Sequence, residues 1–295
     1  MRKWTAFLLT CLFALVLTAC NSTATPIEKE EDTSKETAGE TTKDENEEPK
    51  VSNLTLEEVY QKAMDRQNEI ESLSSEVTME QLMTIDGQEI NVKSDMTIDM
   101  TMNPIAMYAI GNSTMFDPTI GEEVPMGYEM YMVEDGFFIY DEMSDTWMKL
   151  PADSYEQMMG QTANQADASQ QLAMLQSFIE DFTFEQNNDQ YILTLDASGE
   201  KFNDFVLEQA LGTGAVSTED QAVLESIKFN DMKYVLFINK ETFDTEEITM
   251  NMEMTETASG ETVVMNTSMV FTNINGIDAI EVPQDIIDNA IEQSF

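Results

Sequence analysis

Between Val92 and Met102 the even positions read Val, Ser, Met, Ile, Met and Met, and the odd ones Lys, Asp, Thr, Asp and Thr. A period of two sends successive side chains to opposite faces of a strand, so this stretch predicts a strand with one dry and one wet side. Val77, Met79, Met83 and Ile85 share a face in the preceding segment, and Asp86-Gly87 between them reads as a hairpin turn. Similar alternation predicts strands at 105–115, 127–134, 136–142, 146–149 and 190–196. Three longer ones follow at 229–239, 245–256 and 262–273. In the middle one Ile248, Met250, Met252 and Met254 oppose Glu247, Thr249, Asn251 and Glu253. One wet and one dry face is the signature of an antiparallel sheet.

A helical period interrupts the strands at intervals. Thr55 and Glu58 form a capping box, with Leu54 placed to staple against Val59. Leu56, Val59, Tyr60, Ala63, Met64, Ile70 and Leu73 then fall on one helical face. Asp153 and Glu156 predict a cap, with an apolar stripe of Leu172, Leu175, Phe178, Ile179 and Phe182 behind it, so that 171–184 reads as a helix. A further helix over 201–211 turns Phe202, Phe205, Val206 and Ala210 inward and stops at Gly212, and a short one is expected over 218–226. Pro283 opens the last, through Ile286, Ile287, Ala290 and Ile291. Runs of strands with segregated helices predict an α+β fold: a curved antiparallel sheet, a half-barrel, wrapped around helices.

The N-terminus adds a different signal. Arg2 and Lys3 precede an apolar run from Phe7 to Leu17, and small residues follow, which is the layout of a secretory signal. The run falls short of the roughly 20 residues that span a bilayer. Leu17-Thr18-Ala19-Cys20 resembles the bacterial lipobox, which implies a diacylglycerol on the Cys20 thiol and cleavage between Ala19 and Cys20. The thiolate is the side chain suited to alkylation, and two acyl chains supply the double signal that stable anchoring requires. Cys11 falls in the discarded core, so Cys20 is the sole cysteine of the processed chain and disulfides are excluded. The expected organisation is a signal peptide over 1–19, a lipidated cysteine with a disordered acidic linker over 20–52, and a single ligand-binding domain over 53–295.

Charge reinforces that division. The chain carries a formal charge of −43, and loss of Arg2 and Lys3 with the signal takes it to about −45. Such a surface repels nucleic acid, so nucleic-acid binding is excluded. Ten acids and three lysines lie between Glu28 and Glu48, with Ala38 the only apolar residue there. This segment has nothing to bury and reads as a spacer, about 30 Å long as a coil and about 100 Å when stretched.

Little catalytic chemistry is on offer. There is no histidine, which removes histidine general bases, the Ser-His-Asp triad and the usual zinc constellations. No P-loop, dinucleotide fingerprint, EF-hand loop or nucleophile elbow is present, and among 57 acids carboxylate pairs arise by chance. The expectation is a protein that is not an enzyme and uses no cofactor or metal.

Methionine is the unusual residue. All but Met1 of the 23 lie in the domain, many at inward strand positions. They read as plain core, as a plastic hydrophobic pocket, or as thioether ligands for copper(I). Strict alternation with polar residues argues against the exposed, flexible stretches that copper would favour. Met is also a poor choice for one fixed packing arrangement, which favours a pocket whose contents vary. The predicted lining is Met79, Met83, Met96, Ile98, Met100, Met102, Met130, Met132, Phe178, Phe182, Phe205, Met250, Met252, Met254, Met265 and Met269.

Taken in order, the lipobox, polar linker, amphipathic helix near Leu54, alternating strands, helical insertion, three further strands and the helix after Val282-Pro283 resemble uncharacterised Gram-positive lipoproteins. These in turn look like distant members of the LolA/LppX-like superfamily. The resemblance covers about residues 54–295, rests on pattern and on Leu56 to Ser74, and brings no functional residue with it. It implies a half-barrel whose concave face, plugged by helices such as 171–184 and 201–211, holds acyl chains. The expectation is therefore a lipid-anchored extracytoplasmic protein, held at the cell membrane through Cys20, that binds a lipid-like ligand in an apolar cavity. The alternative is an envelope interaction or sensing protein with a closed core.

Overall fold

The computed structural model describes residues 23–27, 51–85, 87–117, 121–142, 144–150, 176–197, 203 and 226–292. The first helix, α1 (Leu56–Gln67), starts where the capping box demands. The Glu58 backbone N–H donates to Thr55 Oγ1 at 3.2 Å, and the Thr55 N–H donates to Glu58 Oε2 at 2.9 Å, so two orphan donors are satisfied reciprocally. Its C-terminal end is fastened by Arg66, whose Nε donates to Asp244 Oδ1 at 2.6 Å.

Strands follow in near-unbroken succession. They are β2 (Ser72–Ile85), β3 (Gln88–Met102), β4 (Ile105–Asp117), β5 (Glu122–Val133), β6 (Gly136–Asp141) and β7 (Thr146–Leu150). After a 3-10 turn (Gln176–Asp181) come β8 (Phe182–Gln186), β9 (Gln190–Ala197), β10 (Ile227–Asn239), β11 (Thr245–Glu256) and β12 (Thr262–Thr272). Helix α2 (Gln284–Asn289) and the short β13 (Ile291–Glu292) end the described chain, and a two-residue β1 (Thr25–Pro26) stands ahead of α1. Gly87 takes φ +76° at the β2–β3 turn and Gly260 φ +78° at the β11–β12 turn, left-handed values that glycine adopts without steric cost.

All the described strands belong to one curved, unclosed sheet in the order β1-β8-β9-β10-β11-β12-β2-β3-β4-β5-β6-β7-β13. Every pairing is antiparallel except the two outermost, β1 with β8 and β13 with β7, which are parallel. The α+β class and the curved antiparallel sheet match the pattern-based expectation.

Four local expectations need correction or completion. The Phe178-Ile179-Phe182 stripe is not one helix, because Phe182 and Phe184 alternate along β8 opposite Leu195 and Leu193. Pairing with β9 overrides a helical spacing that was only locally satisfied. The last helix stops before Ala290, which is extended, and Ile291 pairs beside Met148 in β7. Strand β5 begins at Glu122, five residues ahead of the alternation that predicted it. Finally, Thr25 and Pro26, within the stretch read as linker, pair with β8. The start of the predicted 171–184 helix with its Asp153–Glu156 cap, and the helices over 201–211 and 218–226, Asn203 and Ser226 apart, fall outside the described residues.

The sheet is covered on opposite faces at its two ends. Leu56, Val59, Tyr60 and Ala63 of α1 pack on Phe182, Phe184, Leu193, Leu195, Leu236 and Ile238 of β8–β10, with Val59, Leu193, Leu236 and Ile238 at 0% exposure. At the other end Val282 and Ile286 cover Ala106, Val133 and the fully buried Phe138. The register sets Ala106, Tyr131, Phe138 and Trp147 on the opposite side of the sheet from the α1 core. Tyr131 meets Tyr108 at 4.5 Å and Trp147 at 5.7 Å between ring centroids, an aromatic ladder under α2.

Candidate functional site

Following the register across the sheet places its methionines. In β2 the odd positions face one way, and they pair with even positions of β3, odd of β4, even of β5 and even of β7 through β6. In the other direction they pair with odd positions of β12, even of β11 and even of β10. Met79, Met83, Met96, Met100, Met102, Met107, Met115, Met126, Met130, Met132, Met148, Met232, Met250, Met252, Met254, Met265 and Met269 all fall on that one face. Every methionine of the described strands is among them, and it is the face on which α1 sits. Met64 lies on α1 itself.

Two rows run directly across adjacent strands. Met232, Met252 and Met265 are consecutive partners on β10, β11 and β12, and Met100, Met107 and Met132 on β3, β4 and β5. Directly opposed side chains have Cβ atoms about 5 Å apart, so these thioethers are cross-strand neighbours. Helix α1 covers only the β8–β11 end, and away from it the methionines are half-buried. Met126 is 52% and Met115 38% exposed, whereas Met132 is 1% exposed.

The opposite face is polar over β2, β3, β11 and β12. Glu76, Thr78, Glu80, Lys93, Asp95, Asn251 and Asn266 alternate with the methionines, and Lys93 pairs with Glu80 at 3.4 Å. A cavity of about 530 Å³ lies against this side, bordered by Thr78, Glu80, Lys93, Asp95, Asn251 and Asn266, with Met79 at its margin. A second, of about 590 Å³, lies between the chain at Val51–Leu54 and the turns carrying Asp189 and Lys240, floored by the stacked rings of Tyr191 and Phe243. Met79 is the one methionine among the residues lining these two.

The predicted lining residues therefore separate. Met79, Met83, Met96, Ile98, Met100, Met102, Met130, Met250, Met252, Met254, Met265 and Met269 are brought together, half-buried, on the shared face. Met132 is on that face but buried, and Phe178 and Phe182 are sealed beneath α1, Phe182 against the Tyr60 ring at 6.4 Å. Phe205 lies outside the described residues, as do Ala19 and Cys20. Sequence reasoning missed Met107, Met115, Met126, Met148 and Met232, although all but Met126 fall within strands it predicted and alternation would have found them. It also missed Tyr128, whose hydroxyl is buried on this face and makes no hydrogen bond among the described residues. Its ring lies over Gly111, where a Cβ would stand 2.6 Å from the hydroxyl oxygen, so the glycine leaves the ring its space. Burial, followed by the charge of Asp95, raises the Tyr128 pKa and keeps this group a neutral donor.

Among the described residues no cluster of His, Cys, Asp or Glu could hold a metal ion, and no helix is long and apolar enough to cross a membrane.

An open antiparallel sheet with one thioether-covered, half-exposed face and one polar face defines the class of this protein. The chain belongs to a family of unknown function, DUF6612, which matches residues 55–291. No curated protein matches the sequence. Among solved structures it is similar to LprF from Mycobacterium bovis, at 11% identity over 77% of this chain and 96% of that one, with a TM-score of 0.39. It is also similar to a DUF1329 family protein from Desulfovibrio piger, at 9% identity over 76% and 97%, with a TM-score of 0.24.

Proposed function

We propose that this protein is a lipid-anchored extracytoplasmic binder of a hydrophobic, lipid-like ligand, taken up on the methionine face, and that it is not an enzyme. The single observation carrying the reading is the collection of every described strand methionine on one incompletely covered face. A thioether chain is unbranched and polarizable, so such a face can repack around apolar ligands of differing shape. Burial there stabilises the complex by about 25 cal/mol per Å² of apolar surface removed from water. Cleavage between Ala19 and Cys20, with diacylglycerol on the Cys20 thiol, holds the domain at the outer surface of the cell membrane.

The polar borders of both cavities favour a second reading, an envelope interaction or sensing protein that meets a protein partner and carries no small ligand. Native mass spectrometry of the unlipidated chain from residue 21, purified from cells, separates the two. Co-purified lipid mass that exchanges with added lipid is the expected result. Protein that stays empty against every lipid class offered contradicts the binder and favours the second reading.

A further inference from the structure

We infer that the β1 end of the sheet is seated against the membrane surface, because the chain enters the folded domain three residues after Cys20 and not after the acidic segment. This placement rests on the reading of Cys20 as the lipidated residue. Thr25 and Pro26 pair in parallel with Glu185 and Gln186, and the Ile27 N–H donates to the Gln186 carbonyl at 2.8 Å. Thr23 bridges to Thr55, the N-cap of α1, and Ala24 is 4% exposed within the core beneath that helix.

The decisive group is the side chain of Gln186, 1% exposed. Its Nε2 donates to the carbonyls of Ala24 at 2.9 Å and Ser52 at 3.1 Å, and its Oε1 accepts the Ser52 N–H at 2.9 Å. One buried amide thus ties together the chain before and after the acidic stretch. Ile27 and Ser52, which flank the acidic stretch, are both held at Gln186, so the length between them adds nothing to the reach between Cys20 and the domain. Three residues span at most about 11 Å, against about 100 Å for the whole segment acting as a spacer. In a sheet of thirteen strands the β7–β13 edge lies roughly 50–60 Å away along the sheet. The bilayer therefore meets the β1–β8 edge, and the β7–β13 edge, at the other end of the strand order, is placed farther from it.

The test uses the full lipidated protein in vesicles containing a headgroup-nitroxide phospholipid. With the Cys20 thiol acylated, one added cysteine takes a fluorescent dye, either Thr183→Cys beside β1 or Glu292→Cys on the far edge, both exposed positions. The placement predicts several-fold stronger quenching at 183 than at 292, unchanged when residues 33–44 are deleted. Equal weak quenching at both positions, or quenching that rises on that deletion, overturns it and restores the spacer. The intact mass of the same sample reports the anchor separately. Diacylglycerol present with equal quenching defeats only the placement, whereas its absence defeats the anchor reading and the placement together.

Discussion

The Gln186 amide satisfies backbone groups of two segments at once, the Ala24 carbonyl and both the carbonyl and the N–H of Ser52. Gln186→Ala leaves the buried Ala24 carbonyl and the part-buried Ser52 groups without this partner, and a loss of about 1–3 kcal/mol is expected for each one that water cannot reach. Unchanged stability in urea unfolding would mean the amide is not the clasp described. Glu256 gives a pH signature: its carboxylate accepts from the Ser259 hydroxyl first, then from the Ser259 and Ala258 N–H groups, which lowers its pKa to about 2 from 4.5. A depressed folded-state pKa contributes stability that is present above pH 4.5 and lost as pH falls through about 2. Glu256→Gln should flatten that part of the acid-unfolding profile, and an unaltered profile would contradict the assignment. Legibility at this scale follows the distance between partners along the chain. Thr55 and Glu58 are three apart, so their capping box follows from spacing alone, and Thr55→Ala should cost about 0.5–2 kcal/mol by the same urea measurement. Gln186 looks like any strand glutamine, because what defines it lies more than a hundred residues away.

At the scale of elements, the period of the apolar pattern was the reliable signal. Strict alternation located β3 and β11 and one side of nearly every long strand, because a half-buried strand must alternate. It failed where two periods coexist: Phe178, Ile179 and Phe182 satisfy a helix, but Phe182 and Phe184 satisfy a strand, and the edge of β9 decides between them. The short parallel strands β1 and β13 carry no period at all and become visible only as backbone hydrogen-bond partners for sheet edges. The methionine face was legible strand by strand; that its strands share one continuous surface depends on register, which pattern does not supply. Met252→Gln with Met265→Gln places two polar amides in one cross-strand row, and both positions are half-buried. Unfolding free energy should shift by no more than about 2 kcal/mol, while lipid occupancy in native mass spectra falls at least several-fold. Occupancy equal to that of the unaltered chain would remove this row from the site.

For the whole molecule, the distribution of cover explains the division of labour. Helix α1 and helix α2 seal opposite faces at opposite ends, and each end owns its own core. Between them the sheet keeps an apolar thioether surface only half withdrawn from water, a costly arrangement for a resting protein and a useful one for a surface that waits for a ligand. The extreme acidity and the missing histidines belong to the same reading, in which this face is proposed to bind and not to catalyse. Peroxide footprinting reads that face directly, since oxidation converts each accessible thioether to its sulfoxide and adds one oxygen. Peptide mass mapping should be done on the chain from residue 21, with and without a saturating lipid identified by native mass spectrometry. The account predicts that bound lipid protects Met79, Met252, Met265 and Met269 together. Equal oxidation of these four in the two samples would contradict it.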